Sequence, residues 1–187
     1  MGTSNTNTSG LSFWQGILKR SFDITFSLIG LALASWLIMF AWLVASLDTR
    51  SNGFFIQTRV GRGGKLFNVV KIKTMLPVDC VNTTVTRRGD PRITRLGAFF
   101  RGSKIDELPQ LWNVLSGEMS FVGPRPDVPG FADHLEGAER AILSIRPGIT
   151  GPATMAYRNE EELLARQDDP ETYNREVIWP DKVGINL

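Results

Sequence analysis

The clearest pattern in the chain is an uninterrupted apolar run close to the N-terminus. Residues 24–47 read ITFSLIGLALASWLIMFAWLVASL and include no charged side chain. A helix of this length would extend about 36 Å at about 1.5 Å per residue, whereas the hydrocarbon core of a bilayer is about 30 Å thick. A signal peptide is disfavoured because the run is too long and no small-x-small cleavage site follows it. The pattern therefore predicts a helix that lies in lipid.

Charged residues on both sides of this run bear on its orientation. Lys19 and Arg20 precede it and Arg50 follows it. Positive flanks are typical of cytoplasmic ends, so both flanks would be satisfied on one side of the membrane if the helix entered and turned back. A kink requires a cause, and the run offers Gly30 and Ser35 as candidates. A spanning helix and a re-entrant helix both stay open from this pattern.

Beyond residue 50 the apolar pattern becomes short-ranged. Strands are predicted at 54–57 and 65–73, joined by a glycine-rich turn at 60–64. Residues 77–90 carry Pro, Asp, Asn, Thr and Gly without periodicity, and they are predicted to form a loop. These segments indicate a small β-hairpin followed by an irregular connection.

Helical periodicity returns after this loop. Residues 94–101 place Leu96, Phe99 and Phe100 on one side, which suits either a helix lying in the membrane interface or a short helix packed on the core. The remaining helices are predicted at 108–119, 136–145 and 160–167. The predicted fold class is α+β and mostly helical, with an N-terminal membrane helix, interfacial amphipathic helices and a small β-hairpin.

The charge distribution adds information about partners. The net charge is +2, but residues 1–130 hold 15 Lys/Arg against 8 Asp/Glu, while residues 131–187 hold 6 against 11. The basic portion suggests an anionic partner such as lipid headgroups or phosphorylated substrates. Nucleic acid is disfavoured because no predicted helix is uniformly basic and the aromatic residues do not alternate with Lys or Arg. Cys80 and His134 are the only residues of their types, which argues against a disulfide and a zinc site.

Two adjacent carboxylates, Asp106 and Glu107, are the strongest candidates for chemistry. Ser103 and Asp106 have the S-x-x-D spacing of a capping box before an apolar helix, so both carboxylates are predicted near a helix N-terminus. There the helix dipole would favour an ionised carboxylate, which is what a nucleophile requires. Neighbouring helical residues point about 100° apart, so one carboxylate could attack while the other held a divalent cation. The alternative interpretation is that both only cap the helix.

Several basic residues could accompany this pair. Lys71 and Lys73 are two positions apart on a predicted strand and therefore share a face. Arg101, Arg125 and Arg146 each neighbour a Gly or Pro, where a rigid turn would hold the side chain. Arginines in such positions suit bidentate recognition of phosphate groups. Together they predict a site for phosphorylated ligands.

These residues belong to longer motifs that resemble a known family. The motifs are KRSFDI (19–24), FFIQTRVGRGGKLFNVVKIKTM (54–75), the block at 90–126 that contains GSKIDELPQLWNVLSGEMSFVGPRP, and RPGITG (146–151). In this order and spacing they resemble the bacterial sugar transferases, the monotopic polyprenyl-phosphate phosphoglycosyl transferases. The resemblance is greatest to the small members that consist of the catalytic domain only.

The resemblance implies transfer of a sugar-1-phosphate from a UDP-sugar to polyprenyl phosphate, with release of UMP, as the first step of surface glycan assembly. It implies a ping-pong mechanism in which Asp106 is the nucleophile and forms an aspartyl-phosphosugar intermediate. Glu107, together with Asp106, would bind Mg²⁺. The residues expected to bind the phosphates of the substrates or of a membrane phospholipid are Lys73, Arg101, Arg125 and Arg146. The alternative is a catalytically inactive membrane scaffold for glycan-assembly enzymes.

The resemblance also implies a location and a domain plan. The chain is expected at the bacterial inner membrane, with a flexible N-terminus bearing interfacial aromatic residues (1–18), a re-entrant membrane helix (19–50) and a catalytic domain on the cytoplasmic face (51–187). Family members commonly carry Ser-Pro in mid-membrane where this chain has Ser35-Trp36, and Trp-Ala where it has Pro152-Ala153. The sequence leaves the sugar undetermined and allows a homo-oligomer.

Overall fold

The computed structural model describes residues 12–76, 85–86 and 89–187. Its first element is α1, a helix of 37 residues at Phe13–Thr49. The Ser12 hydroxyl accepts a hydrogen bond from the Gln15 backbone N–H, and the Gln15 side chain accepts one from the Ser12 N–H, so a capping box starts the helix. Arg50, in a left-handed conformation with φ 48°, ends it.

α1 therefore begins well before the predicted membrane segment. The prediction of a flexible N-terminus at 1–18 is wrong for residues 13–18, which are helical, while residues 1–11 lie outside the described part of the chain. The predicted membrane helix at 19–50 starts six residues after the beginning of α1. Within α1, the charged residues Lys19, Arg20 and Asp23 bond to the rest of the protein.

The long helix leaves much of its apolar surface uncovered. Among the described residues it is the one helix that is long and apolar enough to cross a membrane. Leu33 and Trp36 are each 71% exposed. At Ser35 the helix is uninterrupted, and the Ser35 hydroxyl donates to the Ala32 carbonyl at 3.2 Å. An apolar surface of this kind fits a helix surrounded by lipid.

The predicted hairpin is confirmed. β1 at Phe54–Val60 pairs antiparallel with β2 at Leu66–Ile72, in a register that places Phe54 opposite Ile72. A 3₁₀ turn at Arg62–Gly64 joins them, and Gly63 there has φ 68°, a left-handed value that favours glycine. The predicted loop at 77–90 falls mostly outside the described residues.

Two helices and a short turn follow the hairpin. α2 at Arg95–Ser103 is capped by the Thr94 hydroxyl, a 3₁₀ turn spans Ile105–Glu107, and α3 covers Gln110–Ser116. The capping box predicted from Ser103 is wrong, because its hydroxyl donates back to the carbonyls of Phe99 and Phe100 at the end of α2. α3 is also shorter at both ends than the predicted helix at 108–119.

The remainder of the chain is built from short elements. β3 at Ser120–Val122 pairs in parallel with β4 at Gly148–Thr150, a pairing that the sequence did not predict. The helix predicted at 136–145 is a 3₁₀ helix at Gly137–Ser144, and the one predicted at 160–167 is α5 at Glu160–Leu164. The other elements are a 3₁₀ turn at Ala132–His134, α4 at Pro152–Ala156, α6 at Pro170–Tyr173, a π-helical turn at Asn174–Ile178 and α7 at Trp179–Asn186. The α+β, mostly helical fold class is confirmed.

The core connects α1 to the rest of the chain. Ala41 and Ala45 of α1 pack with Ile72 of β2 and Phe100 of α2 in one buried cluster. Phe100 is only 5% exposed, whereas Phe99 is 63% exposed. α2 thus packs on the core through Phe100, which agrees with the core-packed interpretation, while a position in the membrane interface stays a prediction for its exposed Phe99. Its position brings Arg101 and the following turn towards the hairpin.

Candidate active site

A cavity of about 960 Å³ lies between the hairpin, α2, the segment after β3 and the C-terminal helices. Ionisable side chains from all these elements line it, including Lys71, Lys73, Arg101, Asp106, Arg125 and Lys182. The structure thus brings Asp106 together with three of the four basic residues predicted to bind phosphate.

Asp106 lies in the 3₁₀ turn between α2 and α3 and is 6% exposed. Its Oδ1 is buried and has no hydrogen-bond partner among the described residues. Burial, followed by the neighbouring charge of Glu107, raises the pKa of Asp106, while Lys71 and Arg101 act in the opposite direction. Burial thus opposes the ionised form that the helix N-terminus was predicted to favour, and it outweighs the nearby positive charges.

Glu107 has a different environment. Its Oε1 accepts hydrogen bonds from Arg125 Nη2 at 2.5 Å and from Lys71 Nζ at 3.3 Å. Burial alone would raise the pKa of Glu107, but the charges of Arg125 and Lys71 more than offset it and hold the pKa at about 2. The two neighbouring carboxyl groups thus have pKa values displaced in opposite directions, as expected of groups with separate roles.

Lys71 is a site residue that the sequence analysis noted only through its spacing from Lys73. Burial and the charge of Arg125 lower the pKa of Lys71 to about 8, although Glu107 raises it. Lys73, just after β2, donates instead to the Ser51 hydroxyl at 2.7 Å. The alternation along β2 places both lysines at the cavity, but only Lys71 contacts the carboxylate pair.

Arg101 and Arg146, two of the predicted phosphate-binding residues, differ in their placement. Arg101 lines the cavity and forms an ion pair with Glu161 of α5. Arg146 does not line it, because its Nε donates to the Gly117 carbonyl at 2.8 Å beyond the far end of α3. Arg146 therefore lies apart from the cavity of Asp106, and its predicted role in binding phosphate stays a prediction. Its position depends on the β3–β4 pairing, which the local pattern does not reveal.

The C-terminal helices supply one wall of the cavity. Trp179 Nε1 donates to Asp127 Oδ2 at 3.3 Å, and Lys182 Nζ donates to Glu160 Oε1 at 2.7 Å. Burial raises the pKa of Asp127, while the hydrogen bond from Trp179 acts against it. The sequence analysis missed this wall, since nothing in the local pattern of residues 152–187 shows what they face.

The carboxylates of the cavity can be compared with the ligands that a divalent cation requires. No group of three or more His, Cys, Asp or Glu side chains suitable for a metal occurs within the described ranges. Mg²⁺ is commonly held by one or two carboxylates together with substrate phosphates and water, and the unpartnered Oδ1 of Asp106 beside Glu107 offers such ligands. The residues fit a magnesium ion shared with phosphate oxygens rather than one enclosed by protein ligands alone.

Comparison with known proteins identifies the family of the chain. The family described as bacterial sugar transferase matches residues 14–179, which is most of the chain. The protein therefore belongs to the bacterial sugar transferase family. The match includes α1 and reaches Trp179, so it covers the C-terminal wall that lies beyond the motifs identified in the sequence.

Three relatives illustrate the range of this family. The chain is 41% identical over 137 residues to a Bacillus subtilis (strain 168) protein provisionally named an undecaprenyl-phosphate N-acetylgalactosaminyl 1-phosphate transferase, covering 67% of this chain and 76% of the relative. It is 44% identical over 168 residues to undecaprenyl-phosphate glucose phosphotransferase of Komagataeibacter xylinus, covering 84% and 31%. It is 40% identical over 139 residues to UDP-glucose:undecaprenyl-phosphate glucose-1-phosphate transferase of Caulobacter vibrioides (strain ATCC 19089 / CIP 103742 / CB 15), covering 72% and 52%. The chain spans about a third and about half of the latter two proteins.

Proposed function

We propose that this protein is a polyprenyl-phosphate phosphoglycosyl transferase that moves a sugar-1-phosphate from a UDP-sugar to polyprenyl phosphate. The observation that carries the proposal is the buried Asp106 carboxyl group, which faces a basic cavity beside a Glu107 held by Arg125 and Lys71. The named activities of the relatives, which act on undecaprenyl phosphate, support it. Because those relatives are named for different sugars, they leave the donor sugar undetermined.

In the first step, an ionised oxygen of Asp106 attacks the phosphorus that carries the sugar. A bond forms between this oxygen and phosphorus, and the bond between phosphorus and the bridging oxygen breaks, so that UMP leaves with the electron pair. In the second step a phosphate oxygen of polyprenyl phosphate attacks the same phosphorus. Asp106 is then released as a carboxylate, and the acyl phosphate has divided one displacement into two.

The basic residues around Asp106 stabilise the charge that develops on the transferred group. Arg125 and Lys71 are oriented by Glu107, so they are held in place before the substrate binds. Arg101 can contact a phosphate oxygen once it separates from Glu161. Lys73 lies close by on the same cavity wall.

Asp106 and Glu107 are the residues that would hold Mg²⁺ together with substrate phosphate oxygens. When bound, the ion would neutralise charge on the diphosphate and polarise the phosphorus that is attacked. The chain's own contribution is to keep Glu107 ionised through Arg125 and Lys71, so that a carboxylate is available for the cation.

We also propose that both ends of α1 and the rest of the chain lie on the cytoplasmic side of the membrane, although α1 is one continuous helix without the break that a re-entrant helix requires. Both ends of α1 contact the same soluble part: Asp23 accepts hydrogen bonds from Ser120 and Phe121, and Ala45 packs with Ile72. A helix that crossed the bilayer would separate these contacts by the hydrocarbon core. A single cysteine introduced before α1, in a chain with Cys80 replaced, should be labelled only from the cytoplasmic side, and labelling only from the periplasm would contradict this topology.

The activity is tested with purified protein, undecaprenyl phosphate, Mg²⁺ and a panel of UDP-sugars, followed through UMP release. Without the lipid acceptor, the protein should gain the mass of one sugar phosphate at Asp106. Asp106→Asn should abolish transfer and the adduct, whereas Asp168→Asn should not, because Asp168 is exposed and outside the cavity. Release of UDP instead of UMP would refute the proposal, and so would normal turnover by Asp106→Asn.

A further inference from the structure

The C-terminal wall of the cavity carries side chains that the proposed chemical steps do not use. Asp127 and Phe131, in the segment after β3, and Trp179, at the start of α7, all line the cavity of Asp106. The sequence motifs assigned a role to none of them. These three residues form the Asp127 cluster, which joins one hydrogen-bonding group to two aromatic rings. Such a combination is typical of a pocket that orients a small polar ligand.

The two rings of the cluster are held from outside the cavity. Their centroids are 5.7 Å apart and their planes are inclined by 58°. Trp179 packs against a buried core cluster that includes Leu135 and Val183. The guanidinium group of Arg175 lies 5.6 Å from the centroid of Phe131, and Arg175 does not line the cavity. The rings are therefore fixed in place, and each is half-buried and leaves apolar surface for a ring-shaped ligand.

Asp127 places a hydrogen-bond acceptor beside these rings. Its Oδ2 accepts a hydrogen bond from Trp179 Nε1 at 3.3 Å, whereas its Oδ1 makes none within the described part of the chain. Its backbone carbonyl accepts the Val60 N–H at 2.9 Å, which fixes the residue at the end of β1. An ionised carboxylate can only accept hydrogen bonds, so a ligand at Oδ1 must bring a hydroxyl or N–H group.

The charge of the wall indicates which part of a phosphorylated ligand it suits. Asp127 and Glu160 both line the cavity, and the ammonium group of Lys182 already donates to Glu160 Oε1 at 2.7 Å. The carboxylate of Asp127 repels a phosphate group but accepts hydrogen bonds from uncharged hydroxyl groups. The wall therefore suits an uncharged part of the ligand that carries hydroxyl groups.

The Asp127 cluster is also close to the carboxyl groups of the proposed reaction. Asp127 lies two residues after Arg125, whose guanidinium group donates to Glu107. The Cα atoms of Arg125 and Asp127 are therefore at most about 7 Å apart. In a UDP-sugar the sugar is bonded directly to the phosphate that is attacked, whereas the uridine is one phosphate further away. The sugar is thus the uncharged group that lies nearest to the cluster.

Building on the proposed function, we propose that Asp127, Phe131 and Trp179 bind the sugar of the donor and select an uncharged sugar. The two rings lie against the apolar C–H groups of the sugar ring, and Asp127 Oδ1 accepts hydrogen bonds from its hydroxyl groups. A sugar acid brings its own carboxylate next to Asp127 and binds more weakly because the two charges repel each other.

The test measures binding to the full chain in mild detergent by titration calorimetry, in an Asp106→Asn background that does not turn the donor over. The ligands are UMP, UDP-glucose, UDP-N-acetylgalactosamine and UDP-glucuronic acid, and the tighter-binding of the two uncharged donors is the reference donor. Asp127→Asn keeps an acceptor for Trp179 but replaces the free oxygen by an amide donor. It should weaken binding of the reference donor by at least about tenfold, the effect of losing a hydrogen bond to a charged group, and leave UMP binding unchanged. The control Asp168→Asn changes an exposed residue outside the cavity and should alter neither.

UDP-glucuronic acid tests the selection for an uncharged sugar. It should bind more weakly than the reference donor, and Asp127→Asn should reduce this difference because it removes the repelling charge. Since burial raises the pKa of Asp127, the neutral amide should not lower the melting temperature.

Two results would overturn the sugar site. One is unchanged binding of the reference donor by Asp127→Asn, and the other is an equal loss of affinity for UMP, which would make the cluster a nucleotide site. Binding of UDP-glucuronic acid as tight as that of the reference donor would refute the selection against charge. Transfer and UMP release by the wild type test the proposed function separately, so failure of one can be told from failure of the other.

Discussion

Glu107→Gln tests how strongly the site is held together by charge. The carboxylate of Glu107 is 12% exposed and contacts both Arg125 and Lys71. Glutamine has nearly the same shape but no charge, so it leaves two cations facing each other in a partly buried position. Removing one partner of a buried pair is strongly destabilising, by roughly 3–5 kcal/mol.

The pKa of Glu107 gives a second estimate of how much the charge of this residue stabilises the fold. It falls from 4.5 to about 2 in the folded protein, and since one pKa unit corresponds to about 1.4 kcal/mol, the ionised carboxylate contributes about 3 kcal/mol to stability at neutral pH. Because the folded-state pKa is the lower one, this contribution is complete above the unfolded pKa and is lost as the pH falls towards 2. Lys71, whose pKa is already lowered to about 8, can release its proton in the variant, which limits the loss.

The assay is thermal melting of the purified protein in detergent with a chelator present, so that only protein charges contribute. At about 2–4 °C per kcal/mol for a chain of this size, Glu107→Gln should melt roughly 6–12 °C lower at pH 7. The difference in melting temperature between the wild type and Glu107→Gln should fall to about half near pH 3, where the ionised Glu107 contributes about 1.4 kcal/mol to stability. The control Glu139→Gln changes an exposed residue and should leave the melting temperature nearly unchanged. Equal melting at pH 7, or a gap that does not depend on pH, would refute this reasoning.

Three other residues give further predictions. The raised pKa of Asp106 places the acid limb of the pH–rate profile above the ordinary range of an aspartate, and an acid limb within that range would contradict the nucleophile assignment. Ionising a buried carboxyl group destabilises the fold as the pH rises through its raised pKa, so Asp106→Asn should melt higher than the wild type at pH 7 while losing activity; a lower melting temperature would contradict this. Arg20→Gln removes two hydrogen bonds to the end of α3 and should lower the free energy of unfolding by about 2 kcal/mol, seen as a lower melting temperature. An unchanged melting temperature would show that these bonds do not contribute to stability. Gly97→Ala would place a Cβ atom 2.1 Å from the Thr74 carbonyl oxygen and should destabilise the protein by about 1–3 kcal/mol, whereas Gly102→Ala in the same helix has nothing within 4 Å and should be tolerated; equal melting of the two variants would count against this packing.

The elements predicted correctly are those determined by local pattern. The apolar run marks α1 because the bilayer imposes its length and composition, and the alternation with a glycine-rich turn marks the hairpin. Asp106 and Glu107 stood out because two adjacent acids precede an apolar helix, and their role in catalysis stays a prediction. The direction in which each pKa is shifted could not be predicted from the sequence, because the burial of Asp106 and the contact of Arg125 with Glu107 depend on tertiary packing.

Arg146 shows why the other basic residues could not all be placed. Within the sequence it resembles Arg125, because each is followed by proline. In the structure, Arg125 enters the cavity of Asp106, while the pairing of Ser120 with Gly148 directs Arg146 to the end of α3. A strand of three residues carries too little periodicity to be recognised, so the pairing that separates the two arginines was not predictable.

The short helix α3 links Asp106 and Glu107 to α1. The turn that holds Asp106 and Glu107 leads directly into α3, which packs closely on α1: a Cβ atom at Gly30 would lie 3.1 Å from Leu111 Cδ1. At its other end, α3 is held by Arg20 of α1 through two carbonyls. If α1 lies in the bilayer as proposed, its position therefore sets the height of Asp106 relative to the lipid headgroups. The proposed reaction, which joins a water-soluble nucleotide sugar to a lipid phosphate, needs such a fixed height.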